Sequence, residues 1–291
     1  MTLAQGESLH VLRSLLKFPL VLLAQWRDAR LPKTAHELAI VAIFREEAPF
    51  LDEWLTFHTR AGVSHFYLYN NFSTDDFRAV LAPWIARGWV TLYEWPRKVG
   101  QLPAYRHCVR RHRQDARWMA FIDIDEFLFS PEGYALGDVL KAYCDLPGVI
   151  VYSPYFGSNG YEQRPPRPIV ASLTRRAPLT RMTAKTIANP RWIYAIRNVH
   201  VFKYRRGEAL STNRQKLDSS NPALEVLRLN HYWSRSLSDL RTKIGRGDAS
   251  TAIPRDHNWH LAFERELNAE DDFSILPLLG NRGKDAAASG R

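Results

Sequence analysis

The stretch RWMAFIDIDEFLF, residues 117–129, sets Asp123, Asp125 and Glu126 into a run that is otherwise apolar or aromatic after its first residue. From Arg117 to Ile124 it predicts a strand, and its near-continuous apolar character predicts burial on both faces, as in a parallel sheet covered by helices. The same rhythm recurs on either side. LAIVAIF (38–44), HFYLYN (65–70), WVTLYEW (89–95) and VIVYSPYF (149–156) predict further strands, with helices over 49–60, 75–87, 102–115 and 136–144. Gly62 and Gly88 stand where helices should end, and Ser73 or Thr74 where one should begin. Strands alternating with helices predict an α/β, Rossmann-like, mostly parallel central sheet, so the first 156 residues read as a nucleotide-binding layer.

Two carboxylates at the end of a buried strand lie at the carboxyl edge of such a sheet, where open α/β sheets bind ligands. Strand alternation would point both to one side, where they could hold a hard divalent cation against a substrate diphosphate. The plain alternative is a turn capped by Asp123 with Glu126 meeting an Arg. An aspartyl nucleophile of the phosphatase type would be followed by a small residue rather than by Glu126 and Phe127.

The chain has 291 residues, 45% of them hydrophobic and 24% charged, which fits one large domain or two small ones and excludes a disordered chain, collagen or a coiled coil. Two cysteines, Cys108 and Cys144, are too few for a disulfide scaffold and lack zinc spacing, so a reducing compartment is expected. Residues 8–30 have leucines near helical spacing with Arg and Lys interleaved and Pro19 as a kink, which suits an interfacial membrane contact or a helix packed on the domain. The apolar run from Phe18 to Trp26 is far short of a membrane span. We expect a protein of the cytoplasm or of the inner face of the membrane, with no secretory signal.

The net charge of +10 predicts an anionic partner. Residues 163–207 hold eleven Lys and Arg and no acid, so this stretch accounts for the whole excess. Pro165, Pro166, Pro168 and Pro178 predict that its first part is loop, followed by strands over 199–204 and 225–231 and helices over 237–244 and 259–267. The chain divides on this reading into an amphipathic helical segment (1–36), a nucleotide-sugar-binding part (37–157), an acceptor-side part completing the same domain (158–270) and a disordered tail (271–291).

Several segments together resemble the bacterial glycosyltransferases related to family 92, which have the GT-A fold. They are Phe44 to His58 (FREEAPFLDEWLTFH), Val63 to Asp75 (VSHFYLYNNFSTD), Gly100-Gln101 with Ala104 to Cys108, the acidic run itself, Phe156 to Gly160, Leu229 to Tyr232, and Lys243 to Gly247. They fall in the expected order across residues 37–250. The resemblance implies a Mn²⁺ or Mg²⁺ ion held against the donor's diphosphate by Asp125, with Asp123 on the ribose or the metal's waters and His231 as a further ligand. It places Phe44, Arg45 and Glu46 beside the nucleotide, although family members often have Lys-Asn-Glu where this chain has Arg45-Glu46-Glu47. Asn70 and Asn71 would face the base, where an acid is usual. Gln101, Tyr105 and Arg106 would begin a helix directed at the donor, and Lys185 and residues 197–200 would lie near the diphosphate or acceptor. Lys243, Arg246 and Asp248 would close over the site.

Metal-dependent transfer from a nucleotide-sugar, UDP first, to a glycan or lipid-linked acceptor is implied, with inversion and a carboxylate base. Glu162, Asp218 and Asp239 are the candidates for that base, Glu162 ahead of the others. The basic stretch would serve a diphosphate, an anionic glycan or a lipid-linked acceptor, with Arg175, Arg176 and Arg181 on the acceptor side. Two other classes share features with the chain. A nucleotidyltransferase on sugar phosphates would have the same sheet and carboxylates, but its Gly-rich triphosphate loop is missing. A nucleic-acid-binding module would explain the charge, yet the aromatics fall inside strands, so nucleic acid is not expected as a partner.

Overall fold

The computed structural model describes residues 33–246 and 256–280. Its centre is a curled mixed sheet of eleven strands flanked by helices. The first half follows the predicted alternation: β1 (His36–Phe44), α1 (Ala48–Arg60), β2 (His65–Asn70), α2 (Phe77–Ala86), β3 (Val90–Glu94), α3 (Gln101–His112) and β4 (Ala116–Phe121). These strands run parallel in the order β3-β2-β1-β4. The continuous apolar run of β1 has the expected cause. Leu38, Ile40, Ala42 and Phe44 enter one core with Trp54 of α1 and Leu81 of α2, while Ala39, Val41 and Ile43 enter a second with Tyr105 and Cys108 of α3. Gly62, at φ 95°, ends α1 in the left-handed region that glycine tolerates.

Beyond β4 the structure departs from the expected mostly parallel sheet. β5 (Glu126–Phe129), α4 (Leu136–Leu140) and β6 (Gly148–Phe156) follow, but β6 does not pair with β4. Between them lies β8 (Met182–Ala188), antiparallel to both, drawn from a part of the basic stretch for which the sequence predicts no element. Met119 and Ala120 of β4 face Ala188 and Ile187, and the antiparallel continuation carries Lys185 alongside the residues that follow Phe121. Short α5 (Ile169–Ser172) and β7 (Arg175–Arg176) precede β8; β9 (Ile193–Ile196) and β10 (Phe202–Tyr204) form a separate hairpin after it; and β11 (Leu210–Ser211) adds to β6. β12 (Arg228–Tyr232) then inserts between β5 and β6, followed by α6 (Leu237–Gly245) and α7 (His257–Glu266).

Two further expectations are corrected. The strand predicted to run from Arg117 to Ile124 stops at Phe121, and a turn closed by Glu126 N–H on the Asp123 carbonyl at 3.1 Å redirects the chain into β5. The acids therefore flank a turn rather than alternate along a strand. The disordered tail placed at 271–291 also begins too early. β13 (Glu270–Asp271) pairs with β7, Ile275 is buried in the main core, and α8 (Leu276–Leu279) follows, because Arg176 and Arg228 need Asp272 as counter-charge. The 8–30 segment and Asp248 lie outside the described residues. Among those described, no helix is long and apolar enough to cross a membrane.

Candidate active site

The turn after β4 opens at the carboxyl end of the parallel strands and gathers polar side chains from four distant elements. On one side Asp123 meets the ammonium of Lys185 at 2.7 Å and accepts from the Gln101 amide at 2.9 Å. Lys185, 4% exposed, also reaches Glu126 at 3.3 Å. Burial alone would lower the Lys185 pKa, but Asp123 and Glu126 hold it well above the ordinary lysine value. On the other side Asp125 meets Lys243 of α6 at 2.5 Å and faces Nε2 of His231 at 3.4 Å. Burial would raise the Asp125 carboxyl, yet Lys243, then His231 and Arg235, hold it well below the carboxylate range. Lys243 also bonds the Trp233 carbonyl at 3.0 Å and sits over that ring at 3.9 Å.

Next to Lys243 lies a cleft of about 220 Å³ whose walls include Glu46, Phe50, Asp75, Trp233, Asp239 and Arg246. Arg235 and Arg246 of its lining belong to an ion cluster around the buried Glu47. The Glu47 carboxylate takes Arg235 at 2.5 Å and Arg246 on its other oxygen, and the Arg235 guanidinium stacks on Phe50 at 3.5 Å. Arg235 adopts φ 55°, an uncommon backbone for a residue with a side chain. Arg246 also donates to the Arg45 and Glu46 carbonyls, tying the end of α6 to the end of β1.

The residues named from the sequence distribute unevenly. Asp123, Asp125, Gln101, Lys185, His231 and Lys243 converge, and Tyr105 lies buried beneath them, donated to by Gln101 at 3.2 Å. Phe44 points into the core against Phe77. Glu46 accepts from Thr74 N at 2.7 Å, and Asp75 accepts from Ala48 N at 2.7 Å. The Ser73–Asp75 segment thus caps the neighbouring α1, and Asp75 also bonds the Phe77 backbone at the start of α2. Arg45 is exposed beside the Phe72 ring. Asn70 bonds Glu94 at 2.7 Å and Ser73 N at 3.0 Å, and Asn71 bonds the Trp95 and Arg97 carbonyls, so both amides have structural partners. Arg106 is spent on the Ile196 carbonyl at 2.7 Å.

The three candidate bases are also separated. Glu162 is exposed and paired with Arg241. Asp218 is exposed on a loop whose backbone meets the Tyr152 hydroxyl, and its carboxylate accepts from Ser220. Only Asp239 of the three lines the cleft, where it caps α6 through Ser236 and pairs with Arg164 at 2.9 Å. Sequence reasoning missed Glu47 and Arg235 as partners, because nothing local links positions so far apart. Glu126 carried a usable signal: an acid heading the apolar run EFLF cannot be buried without a partner.

A match to the model of glycosyltransferase family 92 covers residues 41–267, from the last residues of β1 through α7. The chain belongs to glycosyltransferase family 92. Its relatives in the family include a protein of Oryza sativa subsp. japonica, 34% identical over 148 residues that make up 50% of this chain and 25% of that one. A family 92 protein of Ricinus communis is 31% identical over 179 residues, 59% of this chain and 32% of that one. The galactan beta-1,4-galactosyltransferase GALS2 of Arabidopsis thaliana is 33% identical over 99 residues, 30% of this chain and 19% of that one. The chain thus spans about a quarter to a third of the length of the two family 92 proteins. These relatives are plant proteins, so the family stands while the bacterial grouping gains nothing from them. Among solved structures, S. aureus TarS 1–349 in complex with UDP superposes on 53% of this chain and 46% of that one, at 11% identity and a TM-score of 0.36, too low to bear on this family 92 chain.

Proposed function

We propose that this protein transfers a sugar from a nucleotide-sugar, UDP-linked first, to a hydroxyl of a glycan or lipid-linked acceptor, with inversion. The observation that carries the reading is the convergence of Asp123, Asp125, His231, Lys185 and Lys243 at the carboxyl end of the parallel strands, beside a cleft with an aromatic wall. Family 92 membership supports the transferase chemistry.

Asp125 Oδ1 and His231 Nε2, 3.4 Å apart, are two donor types that can share a Mn²⁺ or Mg²⁺ ion. Among the described residues no group of three or more His, Cys, Asp or Glu stands ready around one point, so the protein would hold the ion with these two and leave its other positions to phosphate and water. Such an ion neutralises the charge that develops on a leaving diphosphate. Lys243 and Lys185 flank the same leaving group and fix the two carboxylates in place. Asp239, whose pKa lies below the ordinary carboxylate value and which is therefore ionised at neutral pH, is the first acid to test as acceptor base because it lines the cleft. Contact of residues 8–30 with anionic lipid at the inner membrane face belongs to the same proposal and is checked by vesicle co-sedimentation with and without that segment.

The decisive assay measures UDP release from a panel of UDP-sugars, with GDP- and CMP-sugars as controls, with and without Mn²⁺. UDP release should require Mn²⁺ and fall at least 100-fold in Asp125→Asn. Formation of UTP and sugar 1-phosphate when pyrophosphate is added to the UDP-sugar would turn the assignment to a nucleotidyltransferase, and metal-independent use of a CMP-sugar would end it.

A further inference from the structure

Glu126 follows the acidic pair and lies wholly inside the protein, at 0% exposure. Its Oε2 is committed, accepting from Asp123 N–H at 2.9 Å and meeting Lys185 at 3.3 Å. Its Oε1 is buried with no hydrogen-bond partner among the described residues, and the same is true of Nδ1 of His231. These two orphaned atoms face each other at 3.4 Å. The backbone holds them there, because Glu126 and His231 sit directly opposite in the antiparallel β5–β12 pair. Rings enclose the imidazole on its other sides, Tyr155 at 4.9 Å and Trp233 at 5.3 Å between centroids.

We infer that Glu126 is a positioning residue for His231: Oε1 accepts the Nδ1 proton and thereby turns Nε2 toward Asp125. The opposite arrangement would set the bare Nδ1 lone pair against the buried Glu126 Oε1, leaving two acceptors unsatisfied with no other partner, whereas Asp125, which faces Nε2, has Lys243 to satisfy it. A carboxylate that receives the second ring nitrogen of a liganding histidine fixes both its tautomer and its plane. The inference rests on the proposed role of His231 only for its purpose; the proton position is a property of the protein without substrate.

The test is ¹⁵N NMR of histidine-labelled protein, with the His231 signals assigned by their disappearance in His231→Ala. In the wild type Nδ1 should resonate as a protonated nitrogen. A bare Nδ1 with the proton on Nε2 would overturn the inference. In Glu126→Gln the amide oxygen is claimed by Asp123 N–H and Lys185, so its NH₂ is left facing Nδ1. Nδ1 should then lose its proton, and Mn²⁺ affinity measured by EPR should weaken about 10- to 100-fold. An unchanged Nδ1 signal with Mn²⁺ affinity within twofold of wild type would contradict the inference. If Glu126→Gln fails to fold, the wild-type spectrum decides alone. Absence of Mn²⁺ binding by a wild-type protein with a protonated Nδ1 would remove the metal reading and leave the positioning role intact.

Discussion

Replacing Lys185 with Met removes the ammonium that lies between Asp123 and Glu126 while keeping most of the side-chain volume. Glu126 has no exposure to water and Lys185 almost none, so the variant leaves a carboxylate buried without its counter-charge. Breaking such a pair costs about 3–5 kcal/mol, whereas an exposed pair such as Lys141–Asp138 contributes roughly 0–1 kcal/mol. For a domain of this size that corresponds to a fall in Tm of roughly 6–20 °C. The pH dependence has a definite sign. Burial already raises the Glu126 carboxyl, and losing Lys185, its main lowering influence, raises it further, so the folded variant takes up a proton that the unfolded chain does not. The deficit relative to wild type should therefore narrow as pH falls through the folded Glu126 pKa. Urea unfolding followed by circular dichroism at pH 7.5 and 5 measures both effects. The double variant Lys185→Met with Glu126→Gln should regain half or more of the loss. A deficit below about 1 kcal/mol, or additive losses in the double variant, would refute the claim that Lys185 is the buried counter-ion of the acidic turn.

Other outcomes follow from the same physics. His58 donates through Nδ1 to the Trp54 carbonyl at 2.9 Å and accepts at Nε2 from Leu128 N–H at 3.0 Å, so its buried ring must stay neutral and burial pushes its pKa down to about 3. Because only the unfolded chain takes up this proton, stability should fall below pH 6.5, by roughly 3 kcal/mol at pH 4.5, and His58→Gln should show a smaller loss over that interval. Asp272 is the shared counter-charge of Arg176 and Arg228, so Asp272→Ala should destabilise by about 3–5 kcal/mol in denaturant titration, against less than 1 kcal/mol for Asp138→Ala at the surface. Neutralising Arg175, Arg176 and Arg181 together should lower Tm more than it alters acceptor turnover, since each faces an acid of residues 266–272. A selective loss of acceptor use at unchanged Tm would restore them to an acceptor surface.

That last prediction reverses the sequence expectation for the basic stretch. Read linearly, residues 163–207 carry an unopposed charge; folded, Arg175, Arg176 and Arg181 meet Glu266, Glu270, Asp271 and Asp272 across β7 and β13. Charge counted along a chain records composition, while screening depends on neighbours in space. The acidic turn was legible for a different reason: acids set into an apolar run would face a desolvation cost that only a site or a buried partner offsets. What surrounds them was legible only in part. His231, Gln101, Lys185 and Lys243 were named through family resemblance, whereas Glu47 lies in a matched segment that assigned it no partner and its partner Arg235 lies outside the matched segments.

The sequence by itself determined the parallel half of the sheet, because burial on both faces writes a continuous apolar run and the helices between strands write their own period and stops. It also determined that the acids would stand at the carboxyl edge of that sheet. Only the tertiary structure decided that β8 would enter between β4 and β6, antiparallel to both, and bring Lys185 beneath those acids. The seven residues of β8, with a lysine at their centre, have no periodicity that marks a central strand. Their place is fixed by pairing with β6, whose partner residues lie 28 to 40 positions earlier, and by two carboxylates that need a buried cation. Local pattern encodes which residues are buried; long-range pairing encodes which charges meet.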